Sequence, residues 1–126
     1  LHKRSTQPFT DKTGKIHLLF NGEIYNYLEL KSDLQRLNIN FKTKSDTEVI
    51  MQSYKFWGIN FVKKLRGMFS IIILDNLKNR FLCFRDRLGQ KPLYYSKYKN
   101  GLILSSEIKD IIYFKEKNQI SENKKK

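Results

Sequence analysis

Three consecutive residues, Asn21, Gly22 and Glu23, carry the pattern in this sequence that could do chemistry. Asparagine offers a side-chain NH2, and glycine lets a backbone N–H approach a ligand with no Cβ in the way. Those are the two donors an oxyanion site needs. The dipeptide Asn-Gly by itself more often makes a turn. A second candidate is Asp46 in the run Ser45-Asp46-Thr47-Glu48. Ser45 and Glu48 have the spacing of a capping box, which leaves Asp46 in the first turn of the following helix. There it either complements the helix dipole or anchors a substrate ammonium group, and residue type alone leaves both readings open. The single cysteine, Cys83, has no partner for a disulfide or a zinc site. Flanked by Phe81, Leu82 and Phe84, it reads as a buried, inert thiol. His2 and His17 fit no catalytic pattern, and no metal site is expected.

The elements that must position these residues follow from apolar spacing. Residues 1–14 read as a loop with a turn over 11–14. An apolar strand over 15–20 is expected to stop abruptly at the Asn-Gly corner. Leu30, Leu34 and Leu37 then predict a helix over 25–37, with Asn26 as its N-cap. The Ser45–Glu48 box predicts a helix over 47–57 closed by Gly58, and a shorter helix is expected over 60–65. Residues 68–74 are almost wholly apolar and read as a strand buried on both faces, with 80–87 returning as its partner. Tyr94, Tyr95 and Tyr98 line a further strand, Asn100-Gly101 supplies a hairpin turn, and a helix is expected over 107–114. The polar remainder, KEKNQISENKKK, reads as disordered or as a linker. Strand, helix, helix and then hairpin-linked strands define an α+β chain with antiparallel sheets.

At 126 residues the chain is about one domain long. No stretch approaches the ~20 apolar residues of a membrane span, nor does the start resemble a signal peptide, so no membrane partner and a cytoplasmic location are expected. The formal net charge is +13. Such a charge gives affinity for polyanions at low salt, but the lysines are spread along the chain, and no specific nucleic acid is expected as a partner. Alanine is absent altogether while Lys, Asn and Ile abound. That bias makes the charge a poor witness to function.

FNGEIYNY at 20–27, SDTEVI at 45–50, RGMFS at 66–70, RDRLGQKPLYY at 85–95 and SSEIK at 105–109 together resemble the glutaminase domain of glutamine-hydrolysing asparagine synthetase. The resemblance implies a class II glutamine amidotransferase with a partial four-layer αββα N-terminal nucleophile hydrolase fold. In such enzymes an N-terminal cysteine attacks the glutamine side-chain amide, with its own α-amino group as base. Carried across, Asn21 and Gly22 form the oxyanion hole, Glu23 contributes to the glutamine pocket, and Asp46 binds the substrate's α-ammonium group. Arg85, Asp86 and Arg87 are expected to hold the scaffold by ion pairing rather than to act on substrate.

Two parts of the family pattern have no match. The nucleophile should open the mature chain, yet this sequence begins at Leu1, and Arg4 lies too near Gln7-Pro8 to be the arginine that holds glutamine's α-carboxylate. The expectation is a fragment: 1–113 an incomplete type 2 amidotransferase domain and 114–126 a charged tail or truncated linker. Its partners would be glutamine, the missing N-terminal segment, a C-terminal synthetase domain that uses ATP and Mg2+, and a second copy in a homodimer. No cofactor is expected in the chain itself. The alternative is a non-catalytic, degenerate glutamine-binding or accessory module.

Overall fold

Apolar residues at every second position from Ile16 to Ile24 build an inner strand of the main sheet. The computed structural model describes residues 6–123, so the readings that concern Leu1, His2, Arg4 and the last three lysines lie outside the described residues. In chain order the elements are β1 (Phe9–Thr10), β2 (Ile16–Ile24), α1 (Tyr27–Arg36), α2 (Asp46–Trp57), a 3-10 helix (Gly58–Lys64), β3 (Gly67–Asp75), β4 (Arg80–Arg85), β5 (Tyr94–Tyr98), β6 (Gly101–Ser105) and α3 (Ile108–Asn123). They fall into two units, one ending at Gln90 and the other beginning at Lys91. Both sheets are antiparallel, as the α+β class requires.

The first unit is a four-stranded sheet in the order β1-β2-β3-β4 with helices packed on one face. Leu18, Phe20 and Ile24 of β2 and Phe69, Ile71 and Ile73 of β3 meet Leu30 of α1 and Val49, Ile50 and Tyr54 of α2. A fully buried Leu or Ile such as Leu18, Ile71 or Ile73 contributes roughly 1.5–3 kcal/mol, so this layer holds the sheet flat against the helices. The expectation that β3 is buried on both faces is corrected. Leu74 is 40% exposed beside Leu19 at 43% and Phe81 at 47%, because the helices cover one face only. Cys83 lies on that open face and is exposed, not buried, since its flanking Leu82 and Phe84 take the inward positions. Partial burial among its apolar neighbours pushes the thiol pKa up.

Local rules account for most boundaries. Ser45 Oγ accepts from the Glu48 N–H at 3.3 Å, and Gly58, with φ 61°, donates its N–H to Tyr54 O to end α2. The reciprocal half of the capping box is absent. Glu48 is buried and its carboxylate instead accepts from the N–H of Lys42 (2.9 Å) and Thr43 (2.6 Å), which folds the connection from α1 onto α2. The turn at Asp11 is present, with Gly14 N–H donating to Asp11 O. Its carboxylate is also used: Asp11 accepts from Ile16 N–H and pairs with Lys55 at 3.0 Å on α2. Asp75, at the end of β3, is buried and accepts from the Tyr54 hydroxyl at 2.5 Å.

In the second unit β5 and β6 form a hairpin. The turn residues are Lys99, with φ 53°, and Asn100, one residue earlier than the sequence suggests, and Gly101 already pairs with Tyr98. Tyr95 is exposed, while Phe114 packs edge-on against Tyr98 with ring centroids 5.4 Å apart. The reading of the stretch from 115 onward as disordered is corrected, because α3 continues to Asn123. Phe114 anchors it, Asn118 Nδ2 donates to Phe114 O at 2.7 Å, and Lys, Glu and Gln sustain a helix without an apolar face.

Candidate functional site

The chain passes straight through Asn21-Gly22 without turning. β2 continues to Ile24, with Asn21 opposite Ser70, Gly22 opposite Phe69, Glu23 opposite Met68 and Ile24 opposite Gly67. The turn expected at this corner is overruled by the partner strand. Gly22 has φ 143°, and a Cβ built on it would lie 2.0 Å from Met68 O. Gly67 mirrors it at φ 154°, with a Cβ 2.1 Å from Glu23 O. Two glycines set diagonally across the ladder, one on each strand, let the backbones approach more closely than any side chain allows.

Register decides where the donors point. Tyr25 N–H bonds to Arg66 O and Asn76 N–H to Lys15 O, so odd-numbered residues of β2 exchange hydrogen bonds with β3. The even-numbered ones, Phe20, Gly22 and Ile24, turn their N–H groups to the opposite edge. There Phe20 N–H donates to Gln7 Oε1, and Ile24 N–H donates to the Asp46 carboxylate. Gly22 N–H lies between these two, and among the described residues β1 pairs with β2 only as far as Leu18. The side chains of Asn21 and Glu23 share one face of the strand, and both are exposed.

Asp46 is half-buried at the start of α2. Burial and the nearby Glu23 carboxylate raise its pKa above the usual carboxylate range, opposed by hydrogen bonds from the N–H groups of Thr47, Ile24 and Asp46 itself. The structure therefore brings Gly22, Glu23 and Asp46 to one stretch of edge, with Asn21 adjacent in the strand.

Side chains that prolong the strands support this stretch. Asp86 is buried, its own N–H donates to Phe69 O (2.9 Å), and its carboxylate accepts from the N–H of Phe69 (3.2 Å), Leu88 (3.2 Å) and Gln90 (2.9 Å). Arg85 donates to Gly89 O at 2.7 Å. These bonds give the RDRLG stretch a structural task on the scaffold. Asn26 occupies the N-cap position of α1 but makes no side-chain cap. Its amide instead donates to Lys64 O and accepts from Arg66 N–H, both at 2.9 Å, which fastens the end of β2 to the entry of β3. Sequence reasoning missed Gln7 and the tertiary use of Asn26. The available signal was an amide residue just outside each end of a strand. A cleft of about 620 Å³ lined by Arg66, Phe69, Phe84, Arg85 and Leu88 includes neither Asn21 nor Asp46. His17 is a strand residue whose Nδ1 lies 3.0 Å from Thr10 Oγ1.

An antiparallel sheet carrying helices on one face, with an Asn-Gly pair on an inner strand and a carboxylate at the adjoining helix start, defines a class. The chain belongs to the glutamine amidotransferase domain family, whose model matches residues 1–125. Within it, the chain is 51% identical over 105 residues to asparagine synthetase [glutamine-hydrolyzing] 2 of Bacillus subtilis (strain 168), covering 83% of this chain and 14% of that protein. It is 46% identical over 104 residues to the putative asparagine synthetase [glutamine-hydrolyzing] 2 of Methanocaldococcus jannaschii, covering 82% and 20%. Among solved structures, glutamine phosphoribosylpyrophosphate amidotransferase from B. subtilis, complexed with ADP and GMP, superposes with a TM-score of 0.68 at 25% identity, covering 80% of this chain and 24% of that one. The fold is thus that of the N-terminal nucleophile amidotransferases, and the chain is a glutamine amidotransferase domain of the asparagine synthetase-like kind. It spans less than a quarter of the length of these proteins.

Proposed function

We propose that this chain supplies the oxyanion-holding and ammonium-holding half of a glutaminase site in a longer enzyme. Asn21 Nδ2 and Gly22 N–H stabilise the tetrahedral oxyanion formed when a cysteine thiolate attacks the glutamine amide. Asp46, with Glu23 beside it, binds the substrate's α-ammonium group. The nucleophilic cysteine and an arginine for the α-carboxylate come from the preceding part of the parent protein. Ammonia released at the site passes to a synthetase domain that amidates aspartate or a related carboxylate with ATP and Mg2+. A cytoplasmic enzyme is in keeping with the described residues, none of whose helices is long and apolar enough to cross a membrane. Homodimerisation belongs to the same reading as a proposal about the whole enzyme.

The observation that carries this reading is the placement of Gly22 N–H and the Asp46 carboxylate on one edge of β2, two residues apart along the strand. The test is glutamate release from glutamine by the full-length enzyme. Asn21→Ala should lower kcat by about 10²–10³-fold with little change in KM, since the donor acts on the transition state. Asp46→Asn should do the reverse, raising KM. If the wild type releases no glutamate, the non-catalytic module is the better account.

A further inference from the structure

We infer that Gln7 is a positioning residue for the oxyanion donors, an assignment that rests on the glutaminase reading above. In the register that sets Phe9 opposite Leu18, position 7 falls opposite Phe20. The bonds there are made by a side chain in place of the backbone. Gln7 Oε1 accepts from Phe20 N–H at 2.9 Å, and Gln7 Nε2 donates to Phe20 O at 2.6 Å. An amide side chain thus makes the pair of bonds that the next residue of a strand would make.

Two consequences follow for the adjacent site. Had the backbone of β1 continued the ladder, the following pair of bonds on that edge would fall on Gly22 and occupy its N–H. A side-chain amide satisfies Phe20, and among the described residues no backbone pairing from β1 reaches the donor. The bond to Phe20 O also fixes the peptide plane that leads into Asn21, and the Asp46 carboxylate fixes the N–H of Ile24 on the other side. Gly22 needs such holding more than other residues, because glycine has the widest choice of backbone conformations. Gln7 and Asp46 hold the two ends of the Phe20–Ile24 segment, and Gly22 N–H lies between them.

The test uses the full-length enzyme and glutamate release, with unfolding followed in parallel. Gln7→Leu removes both bonds and should lower kcat at least tenfold with KM for glutamine within about twofold, because the ammonium-binding carboxylates are untouched. Gln7→Glu separates positioning from mere stability. Ionised, its carboxylate accepts from Phe20 N–H but faces Phe20 O with no proton to give; protonated, it restores the donor. Its kcat should therefore recover as pH falls through that carboxyl's pKa, relative to wild type at each pH. Retained kcat in Gln7→Leu overturns the assignment, as does a pH-independent loss in Gln7→Glu that follows stability with kcat and KM moving together. Should Gln7→Leu fail to fold, the pH profile of Gln7→Glu alone decides. A wild type without glutaminase activity sinks the function reading itself, whereas an active wild type tolerant of both variants sinks only the role of Gln7.

Discussion

Replacing Gly22 by alanine should damage the molecule out of proportion to the single methyl it adds. Gly14 provides the comparison, since it too has positive φ (69°) but nothing lies within 4 Å of a Cβ built there. Gly14→Ala therefore carries only the backbone term, about 1–2 kcal/mol for an L-residue in the left-handed region. At Gly22 the Cβ would sit 2.0 Å from Met68 O, 2.8 Å from Phe69 Cα and 2.9 Å from Met68 C, all backbone atoms. Relief requires β2 and β3 to part at a pair fixed on the far side by Asp86. Backbone strain of about 1–3 kcal/mol and overpacking of about 1–3 kcal/mol add to about 4 kcal/mol, roughly threefold the cost at Gly14. Hydrogen exchange of peptides spanning β2 and β3 in the full-length protein reads this as a lowered opening free energy. The loss should centre on residues 20–24 and 67–71, leaving α3 unchanged. Equal costs at Gly22 and Gly14 would refute the close-approach argument.

Two further predictions concern charge. Hydrogen bonds to Asp11 from Thr13, Lys55 and the Ile16 N–H outweigh its burial and bring its pKa to about 2. A carboxyl whose folded pKa is depressed stabilises above its unfolded value near 3.8 and loses that contribution as pH falls through the folded value. Asp11 should thus supply about 2 kcal/mol at pH 6, lost between pH 4 and about pH 2, and urea midpoints of wild type and Asp11→Asn should converge at the acid end. Asp46 has the opposite shift. The acid limb of kcat/KM for glutamine should lie above the ordinary aspartate range, and Glu23→Gln, by removing the neighbouring charge, should move that limb to lower pH. A limb that stays in place would show that Glu23 and Asp46 do not share the site.

How much of this was legible depended on the distance over which each residue acts. Gly58 ends α2 and Ser45 caps it because the partners lie within four residues, so spacing alone revealed them. The Asn-Gly pair misled for the complementary reason. Its strand conformation depends on Met68, Phe69 and Gly67, more than forty residues away, and a local rule reads the dipeptide as a turn. Asn26 and Glu48 were assigned caps for the same cause, whereas their side chains serve Lys64, Arg66, Lys42 and Thr43. Cys83 was misplaced because its apolar flanks, Phe81, Leu82 and Phe84, were read as burial of the whole run, whereas alternation along β4 turns it to the exposed face. The family resemblance, not residue type alone, grouped Asn21, Gly22, Glu23 and Asp46, and the fold sets Gly22, Glu23 and Asp46 along the same edge. What sequence could not provide was the alternation of hydrogen bonds that turns Gly22 N–H outward, or the amide of Gln7 that takes both backbone bonds of Phe20 beside it.

The most direct measurement is a crystal structure of the full-length enzyme with the γ-aldehyde analogue of glutamine, whose adduct with the cysteine mimics the tetrahedral intermediate. The adduct oxygen should lie about 3 Å from both Asn21 Nδ2 and Gly22 N, with the α-ammonium group on Asp46. An oxygen held by other donors, or Gly22 N–H bonded to a neighbouring strand in that complex, would contradict the account.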